Sequence, residues 1–198
     1  MKRIGLLGGS FDPPHNAHLA LARIALDHLR LDELRWVPVG DAYQKHRELA
    51  SVADRRAMIE LAIADEPRFA LETCELDRAG PSYSVDTLRE LQSRQAADWF
   101  FIIGQDQYAN FHTWHEWPEM LQRVTLAVAS REGSQPTPDP QVAAVPHRVV
   151  ALPLPRIDVS STAIRTAAAE GRDYTDMVPG PIARYIDRHH LYRGTPRS

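Results

Sequence analysis

Residues 8–18 read Gly-Gly-Ser-Phe-Asp-Pro-Pro-His-Asn-Ala-His and follow a short apolar run, Ile4–Leu7. This order predicts a strand, a glycine-rich turn and the first turn of a helix, because apolar residues recur at helical spacing from Leu19 onward. His15 and His18 are three residues apart, so they point to one side of that first helical turn. Free backbone N–H groups and the positive end of the helix dipole lie there too. The segment therefore predicts a phosphate-binding site.

Four other interpretations of this segment compete with a phosphate site. The dinucleotide fingerprint G-x-G-x-x-G does not fit, because Gly5, Gly8 and Gly9 have a different spacing. A Walker A loop would need Gly-Lys-Ser/Thr, which does not follow these glycines. Zinc binding by His15 and His18 would need further ligands at metal spacing, so no metal ligand is predicted. A plain glycine turn with two surface histidines remains an open alternative.

The composition narrows the class of protein. A chain of 198 residues predicts a single domain, 1–198, with a C-terminal helical part at about 160–192 packed on it. A formal net charge of −3 argues against general nucleic-acid binding. The single cysteine, Cys74, excludes an intramolecular disulfide and is predicted to be a buried, unreactive thiol. Because the N-terminal apolar run is too short for a signal peptide or a membrane span, we predict a cytoplasmic protein with no membrane partner.

Strand-like and helix-like patterns alternate along the chain. The predicted strands are Arg3–Leu7, Leu34–Val39, Phe69–Leu76, Trp99–Ile103, Thr125–Ala129 and Arg148–Leu152. The predicted helices are His18–Leu29, Val52–Asp65, Val85–Arg94, Trp117–Gln122, Thr162–Ala169 and Pro181–His189. This alternation predicts an α/β fold with a mostly parallel sheet covered by helices on both faces. Two segments, 40–49 and 131–147, are predicted to be irregular.

Parallel sheets bind ligands at the carboxyl ends of their strands, so the residues that follow each strand are candidates for the site. Gly104-Gln105-Asp106 follows the fourth predicted strand, and Ser160–Arg165 follows the sixth. The second stretch places hydroxyl groups at a helix start with an arginine one turn later. Simple capping of the helix by Ser160 or Ser161 explains this pattern, and so does a second anion site; the two are compatible.

The N-terminal segment and the stretch after the sixth predicted strand each resemble a signature of the nucleotidyltransferase superfamily. Residues 8–18 are similar to G-G-[ST]-F-D-P-x-H-x-G-H, with Ala17 in place of the last glycine, and residues 159–165 are similar to [IV]-S-[SA]-T-x-I-R. The resemblance implies a Rossmann-like nucleotidyltransferase fold and a role for His15, His18 and Arg165 in catalysis. It also implies that ATP is bound by Gly8, Gly9, Ser10, Phe11, Gly104, Asp106, Ser160, Ser161, Thr162 and Ile164.

The middle of the chain resembles one group of this superfamily, the bacterial nicotinate-nucleotide adenylyltransferases. Pro81–Leu88, Ile103–Asp106 and Thr113-Trp114 carry the likeness. It implies adenylyl transfer from ATP to nicotinate mononucleotide in NAD biosynthesis, with Mg²⁺ arriving on the ATP phosphates. The acceptor would be held by Ser84 and by Trp114, although core packing alone would also explain a tryptophan.

The loop after the second predicted strand departs from the family pattern. It usually reads Pro-Pro-His-[KR], whereas this chain has Gln44-Lys45-His46-Arg47. The resemblance implies that His46 and Arg47 contact the acceptor, and the missing diproline leaves the conformation of the loop open. The acceptor could also be nicotinamide mononucleotide or phosphopantetheine, and a non-catalytic nucleotide sensor on the same fold is a further alternative. A homo-oligomer is compatible with the sequence, which does not define the oligomeric state.

Overall fold

The apolar runs of the sequence form one parallel sheet in the computed structural model, which describes residues 1–40, 49–131 and 133–193. Its strands are β1 (Arg3–Gly9), β2 (Glu33–Pro38), β3 (Phe69–Leu71), β4 (Asp98–Gly104), β5 (Thr125–Arg131) and β6 (Arg148–Leu154). Their order in space is β3-β2-β1-β4-β5-β6. The chain builds outward from β1 on one side and returns to β4 on the other. The carboxyl ends of β1 and β4 therefore flank the point where ligands bind in such sheets.

Helices connect the strands of the described residues. They are α1 (Asn16–His28), α2 (Val52–Ile63), α3 (Cys74–Asp77), α4 (Ser84–Arg94), α5 (Gln105–Ala109), α6 (Trp117–Arg123), α7 (Pro140–Ala143), α8 (Ser161–Ala169) and α9 (Gly180–Arg188). Local sequence signals define several of their ends. The Ser51 hydroxyl accepts from the Asp54 N–H at 3.0 Å and caps α2, and Gly171 takes a φ of 68° just after α8. Within this described part of the chain, no helix is long and apolar enough to span a membrane.

The sheet is buried on both faces, as the apolar run of β4 predicts. Phe101 and Ile103 join the core on one face of the sheet, and Phe100 and Ile102 join the core on the other. A third apolar cluster lies away from the sheet and joins α8 and α9 to Met58 of α2. The predicted α/β fold with a mostly parallel, helix-covered sheet is confirmed.

The predicted strand Phe69–Leu76 is wrong in its second half. β3 ends at Leu71, and Cys74–Asp77 forms the short helix α3. The backbone of Glu75 lies so close to Gly40 that a Cβ on Gly40 would be 2.0 Å from the Glu75 carbonyl oxygen. The chain therefore leaves the sheet after β3 at the point where α3 packs against the end of β2. Cys74 is buried, as predicted, and this burial raises the pKa of its thiol to about 12, which disfavours the reactive thiolate at pH 7.

The two segments expected to be irregular have different outcomes. The segment 131–147 contains the short helix α7, which the Asp139 carboxylate caps by accepting from the Gln141 N–H at 2.8 Å. Of the segment 40–49, residues 41–48 lie outside the described residues, and so do the predicted acceptor contacts His46 and Arg47.

Candidate active site

The chain leaves β1 through a tight loop, Gly8–Pro14, which we call the glycine loop. A Cβ added to Gly8 would meet nothing within 4 Å, so this glycine faces open space. Phe11 takes a left-handed φ of 48°, and its ring is buried with a centroid 5.1 Å from that of Trp36. The buried ring anchors the loop, while the backbone of its first residues stays accessible to a ligand.

The two histidines of the motif stack on one another but differ in their surroundings. Their ring centroids are 3.7 Å apart. The His15 backbone N–H donates to His18 Nδ1 at 3.2 Å, so a neutral His18 carries its proton on Nε2. His15 is only 6% exposed, and this burial lowers the pKa of its imidazole from 6.5 to about 4. His15 is therefore a neutral ring at pH 7, and its Nδ1 has no hydrogen-bond partner among the described residues.

The start of α8 is attached directly to the glycine loop. Ser160 caps the helix by accepting from the Ala163 N–H at 3.1 Å, and the Ser161 hydroxyl donates to the Pro13 carbonyl at 3.0 Å. One turn later, Arg165 donates to the Asp12 carbonyl at 2.8 Å and to the Thr162 hydroxyl at 3.1 Å. These bonds bring the two sequence motifs, which are about 145 residues apart, into one site.

Two cavities open at this site. The first, which we call the α8 cavity, has a volume of about 490 Å³ and lies between the glycine loop, α1 and the start of α8. Its polar wall includes His18, Thr162, Arg165 and Ser161, together with Gly104 at the end of β4. The hydroxyl groups, the guanidinium and the nearby helix N-termini are suited to a polyphosphate.

The second cavity, which we call the α4 cavity, has a volume of about 200 Å³. Ser84 at the start of α4 and the half-buried Trp114, the two residues that the family resemblance associates with the acceptor, line it. The Trp114 ring stacks on Phe111 with centroids 5.1 Å apart, so packing holds its orientation. A cavity with an aromatic wall and a few polar groups is suited to a flat ring with a polar substituent.

The two cavities share one wall. Both are lined by Gly8, Gly9, Ser10, Ile102, Ile103 and Gln107. A molecule in the α8 cavity and one in the α4 cavity would therefore meet over the glycine loop at the carboxyl ends of β1 and β4. This arrangement suits a reaction between two bound molecules.

Not every predicted residue lies on a cavity wall. His15 is buried behind His18, Ser160 serves as the cap of α8, and the Ile164 side chain is fully buried in the third apolar cluster. Asp106 is exposed in the first turn of α5 and lines neither cavity. Phe11 lines the α8 cavity with the predicted glycines and Ser10.

The structure adds polar residues that sequence reasoning missed. Glu75 is 7% exposed and lines the α4 cavity; burial raises the pKa of its carboxyl, and the Thr87 hydroxyl donates to it at 2.7 Å. Ser82 lines the same cavity. Gln107 accepts from the Gly104 N–H at 2.9 Å and so closes the start of α5.

A buried arginine, Arg55, stabilises the glycine loop by donating hydrogen bonds to carbonyl groups in and near it. The Arg55 guanidinium is 1% exposed and donates to the carbonyls of Ser10, Val39 and Ala50 at 3.1, 2.7 and 3.3 Å. Arg55 lies on α2, and only the tertiary structure places it under the glycine loop.

This chain is similar to known proteins in a family model, in full-length relatives and in a solved structure. The family model described as cytidylyltransferase-like matches residues 6–167. A relative from Methylibium petroleiphilum, named probable nicotinate-nucleotide adenylyltransferase, is 54% identical over 96% of this chain and 92% of its own length. A relative of the same name from Bordetella petrii is 45% identical over 98% of this chain and 100% of its own length. Among solved structures, the Plasmodium falciparum nicotinic acid mononucleotide adenylyltransferase complexed with NaAD has a TM-score of 0.79 at 18% identity, covering 97% and 98% of the two chains. That structural likeness concerns the fold.

Proposed function

Because this chain belongs to the cytidylyltransferase-like family and, within it, to the nicotinate-nucleotide adenylyltransferases, we propose that it transfers the adenylyl group of ATP to nicotinate mononucleotide. The products are nicotinate adenine dinucleotide and pyrophosphate, and the reaction is a step of NAD biosynthesis. ATP occupies the α8 cavity and the mononucleotide occupies the α4 cavity. The observation that carries this proposal is the wall of Gly8, Gly9, Ser10 and Gln107 that both cavities share.

The proposed reaction depends on the alignment of the two reactants more than on a general base. The nucleophile is a phosphate oxygen of the mononucleotide, and with a second pKa near 6 this phosphate is largely ionised at pH 7. The oxygen attacks the α-phosphorus of ATP, a new P–O bond forms, and the bond to the pyrophosphate oxygen breaks with its electron pair on pyrophosphate. The protein holds the two phosphates over the glycine loop and stabilises the charge that leaves.

His18 and Arg165 are the side chains placed for that stabilisation. His18 lines the α8 cavity and its Nδ1 accepts from the His15 backbone N–H, so Nε2 is the ring nitrogen that can donate to a ligand. The Arg165 guanidinium is held at the same wall by the Asp12 carbonyl and the Thr162 hydroxyl. His15, which burial keeps neutral, supports the His18 ring by stacking. Donors aimed at developing negative charge contribute several kcal/mol in such sites, about 2.7–4 kcal/mol for one donor.

Mg²⁺ is proposed to enter with ATP. The described lining of the α8 cavity offers hydroxyl groups from Ser10, Ser161 and Thr162 and no carboxylate, a donor set that suits an ion held chiefly by triphosphate oxygens and water. When bound, the ion neutralises part of the phosphate charge.

The α4 cavity supports a choice of the acid over the amide. A carboxylate on the pyridine ring only accepts hydrogen bonds, and the hydroxyl of Ser84 and the N-terminal N–H groups of α4 are donors at this wall. Glu75 lines the same cavity, where burial raises the pKa of its carboxyl and so favours the uncharged form, and the Thr87 hydroxyl occupies one of its oxygens. An amide would bring its own NH₂ donor against such donors. This reasoning favours nicotinate over nicotinamide mononucleotide.

The proposal also covers the organisation and location of the protein. Packing of α8 and α9 on α2 through the third apolar cluster supports a single unit, 1–198, that includes the C-terminal helices. ATP and a mononucleotide acceptor are cytoplasmic metabolites, which supports a cytoplasmic enzyme.

A panel of acceptors tests the proposed function. Pyrophosphate release is measured with ATP and, in turn, nicotinate mononucleotide, nicotinamide mononucleotide and phosphopantetheine. The proposal requires the highest kcat/KM with the nicotinate compound. A higher value with another acceptor would replace the substrate, and no release with any acceptor would favour a nucleotide sensor.

A further inference from the structure

The C-terminal end of the described chain reaches back to the glycine loop. Tyr192 follows α9, and its hydroxyl donates to Asp12 Oδ1 at 2.7 Å, across 180 positions of sequence. Asp12 is 1% exposed, and the same oxygen accepts from the Ala50 backbone N–H at 3.3 Å. The Tyr192 side chain is partly buried against the apolar cluster of α8 and α9, so the position of its hydroxyl depends on those helices.

Asp12 connects this tyrosine to the groups around the α8 cavity. The Asp12 main-chain carbonyl accepts from Arg165 at 2.8 Å, and the carbonyl of the next residue, Pro13, accepts from Ser161 at 3.0 Å. A rotation of the Asp12 side chain and backbone would therefore displace the guanidinium that faces the cavity. Water has little access to a side chain that is 1% exposed, so it cannot readily replace a lost donor.

We propose that Tyr192 is a positioning residue for the transfer reaction, acting through Asp12 on Arg165 and the glycine loop. This inference rests on the proposed function. Tyr192 touches neither cavity wall, so its removal leaves the binding surfaces in place and changes the alignment of the reacting groups. Loss of alignment lowers kcat more than it raises KM.

The test compares two single-atom deletions on the same part of the chain. Tyr192→Phe removes the hydroxyl that holds Asp12. Tyr185→Phe is a matched control, because the Tyr185 hydroxyl on α9 makes a similar bond, 2.9 Å to Asp54 Oδ1, away from the glycine loop. Both variants keep the aromatic ring and its packing. The measurements are kcat, the KM for ATP and for nicotinate mononucleotide, and the midpoint of thermal unfolding.

We expect Tyr192→Phe to lower kcat by about 10- to 100-fold while each KM stays within about threefold of wild type. Tyr185→Phe is expected to keep kcat within about twofold, because its bond lies off the site. A double variant, Tyr192→Phe with Asp12→Ala, should be no slower than Asp12→Ala alone, because Asp12→Ala already removes the oxygen that accepts from Tyr192.

The outcomes separate this inference from the proposed function. An inactive wild-type protein overturns the proposed function and this inference together. An active wild type with equal kcat in the two tyrosine variants overturns the inference alone. So does a double variant whose loss is the product of the single losses. If Asp12→Ala does not fold, the comparison of Tyr192→Phe with Tyr185→Phe tests the inference without it.

Discussion

The burial of His15 makes the stability of the protein depend on pH in a definite direction. Burial lowers the pKa of this imidazole from 6.5 to about 4 in the folded protein. In the unfolded chain the ring is solvated and titrates near its ordinary value, about 6.5. Between these two values the unfolded chain binds a proton that the folded protein excludes. Folding therefore loses stability as the pH falls through this window, and above it the histidine contributes no pH dependence.

The two pKa values define the size of the effect. Linkage over a difference of about 2.5 units gives a maximum loss of roughly 3 kcal/mol below both values. Over the range from pH 7 to pH 5, the same relation gives about 2 kcal/mol, because the unfolded ring is then almost fully protonated and the folded ring is still mostly neutral. A loss of this size is a substantial part of a typical stability of about 5–15 kcal/mol.

Urea unfolding at pH 7 and at pH 5 measures this effect. The variant His15→Asn removes the titrating ring, so its loss of unfolding free energy between the two pH values should be smaller than that of wild type by about 2 kcal/mol. His28→Asn is the matched control, because His28 is an exposed histidine at the end of the same helix. Equal pH dependence in wild type and His15→Asn would refute the reasoning.

Three other predictions concern the site. His18→Ala should lower kcat by about 100- to 1000-fold, the cost of one donor to developing charge, in a pyrophosphate-release assay; retention of more than a third of wild-type kcat would show that His18 has no catalytic role. The kcat/KM for nicotinate mononucleotide should exceed that for the nicotinamide compound by at least about 100-fold, since the amide leaves a buried donor unpaired; comparable values would contradict a preference for the acid. Arg55→Met should lower the free energy of unfolding by about 3 kcal/mol, because buried carbonyls lose their donor, whereas Arg56→Met at its exposed neighbour should cost less than about 1 kcal/mol; similar urea midpoints for the two variants would contradict a supporting role for Arg55.

Local signals predicted most of the fold. The apolar run of β4 indicated a strand buried on both faces, and Ser51 and Gly171 marked helix ends because capping and left-handed backbone conformations have specific residue preferences. The second half of Phe69–Leu76 was not predictable in this way. Its helix, α3, packs against Gly40, and no local pattern encodes that contact.

Several residues that the motifs proposed for the site lie on the walls of the two cavities. His18 and Arg165 line the α8 cavity, and Ser84 and Trp114 line the α4 cavity; their roles there stay predictions. The burial of His15 depends on the surrounding packing, which periodicity does not reveal.

No sequence motif indicates the two residues that contact the glycine loop from distant positions, Arg55 and Tyr192. Arg55 and Tyr192 act on the glycine loop from positions 45 and 180 residues away from their partners, Ser10 and Asp12. Contacts between residues so far apart in sequence depend on the topology of the sheet and on the packing of the C-terminal helices. Local sequence patterns do not indicate them.

Transfer of the adenylyl group of ATP to nicotinate mononucleotide is the central claim, and an isotope label on the α-phosphate follows it directly. The protein is incubated with ATP that carries ³²P at the α-phosphate, with and without nicotinate mononucleotide, and the products are separated. We predict that the label enters nicotinate adenine dinucleotide in equal amount to the pyrophosphate released, and that no pyrophosphate forms without the acceptor. Pyrophosphate release with the label in AMP or on the protein, and none in a dinucleotide, would contradict direct transfer between the two cavities.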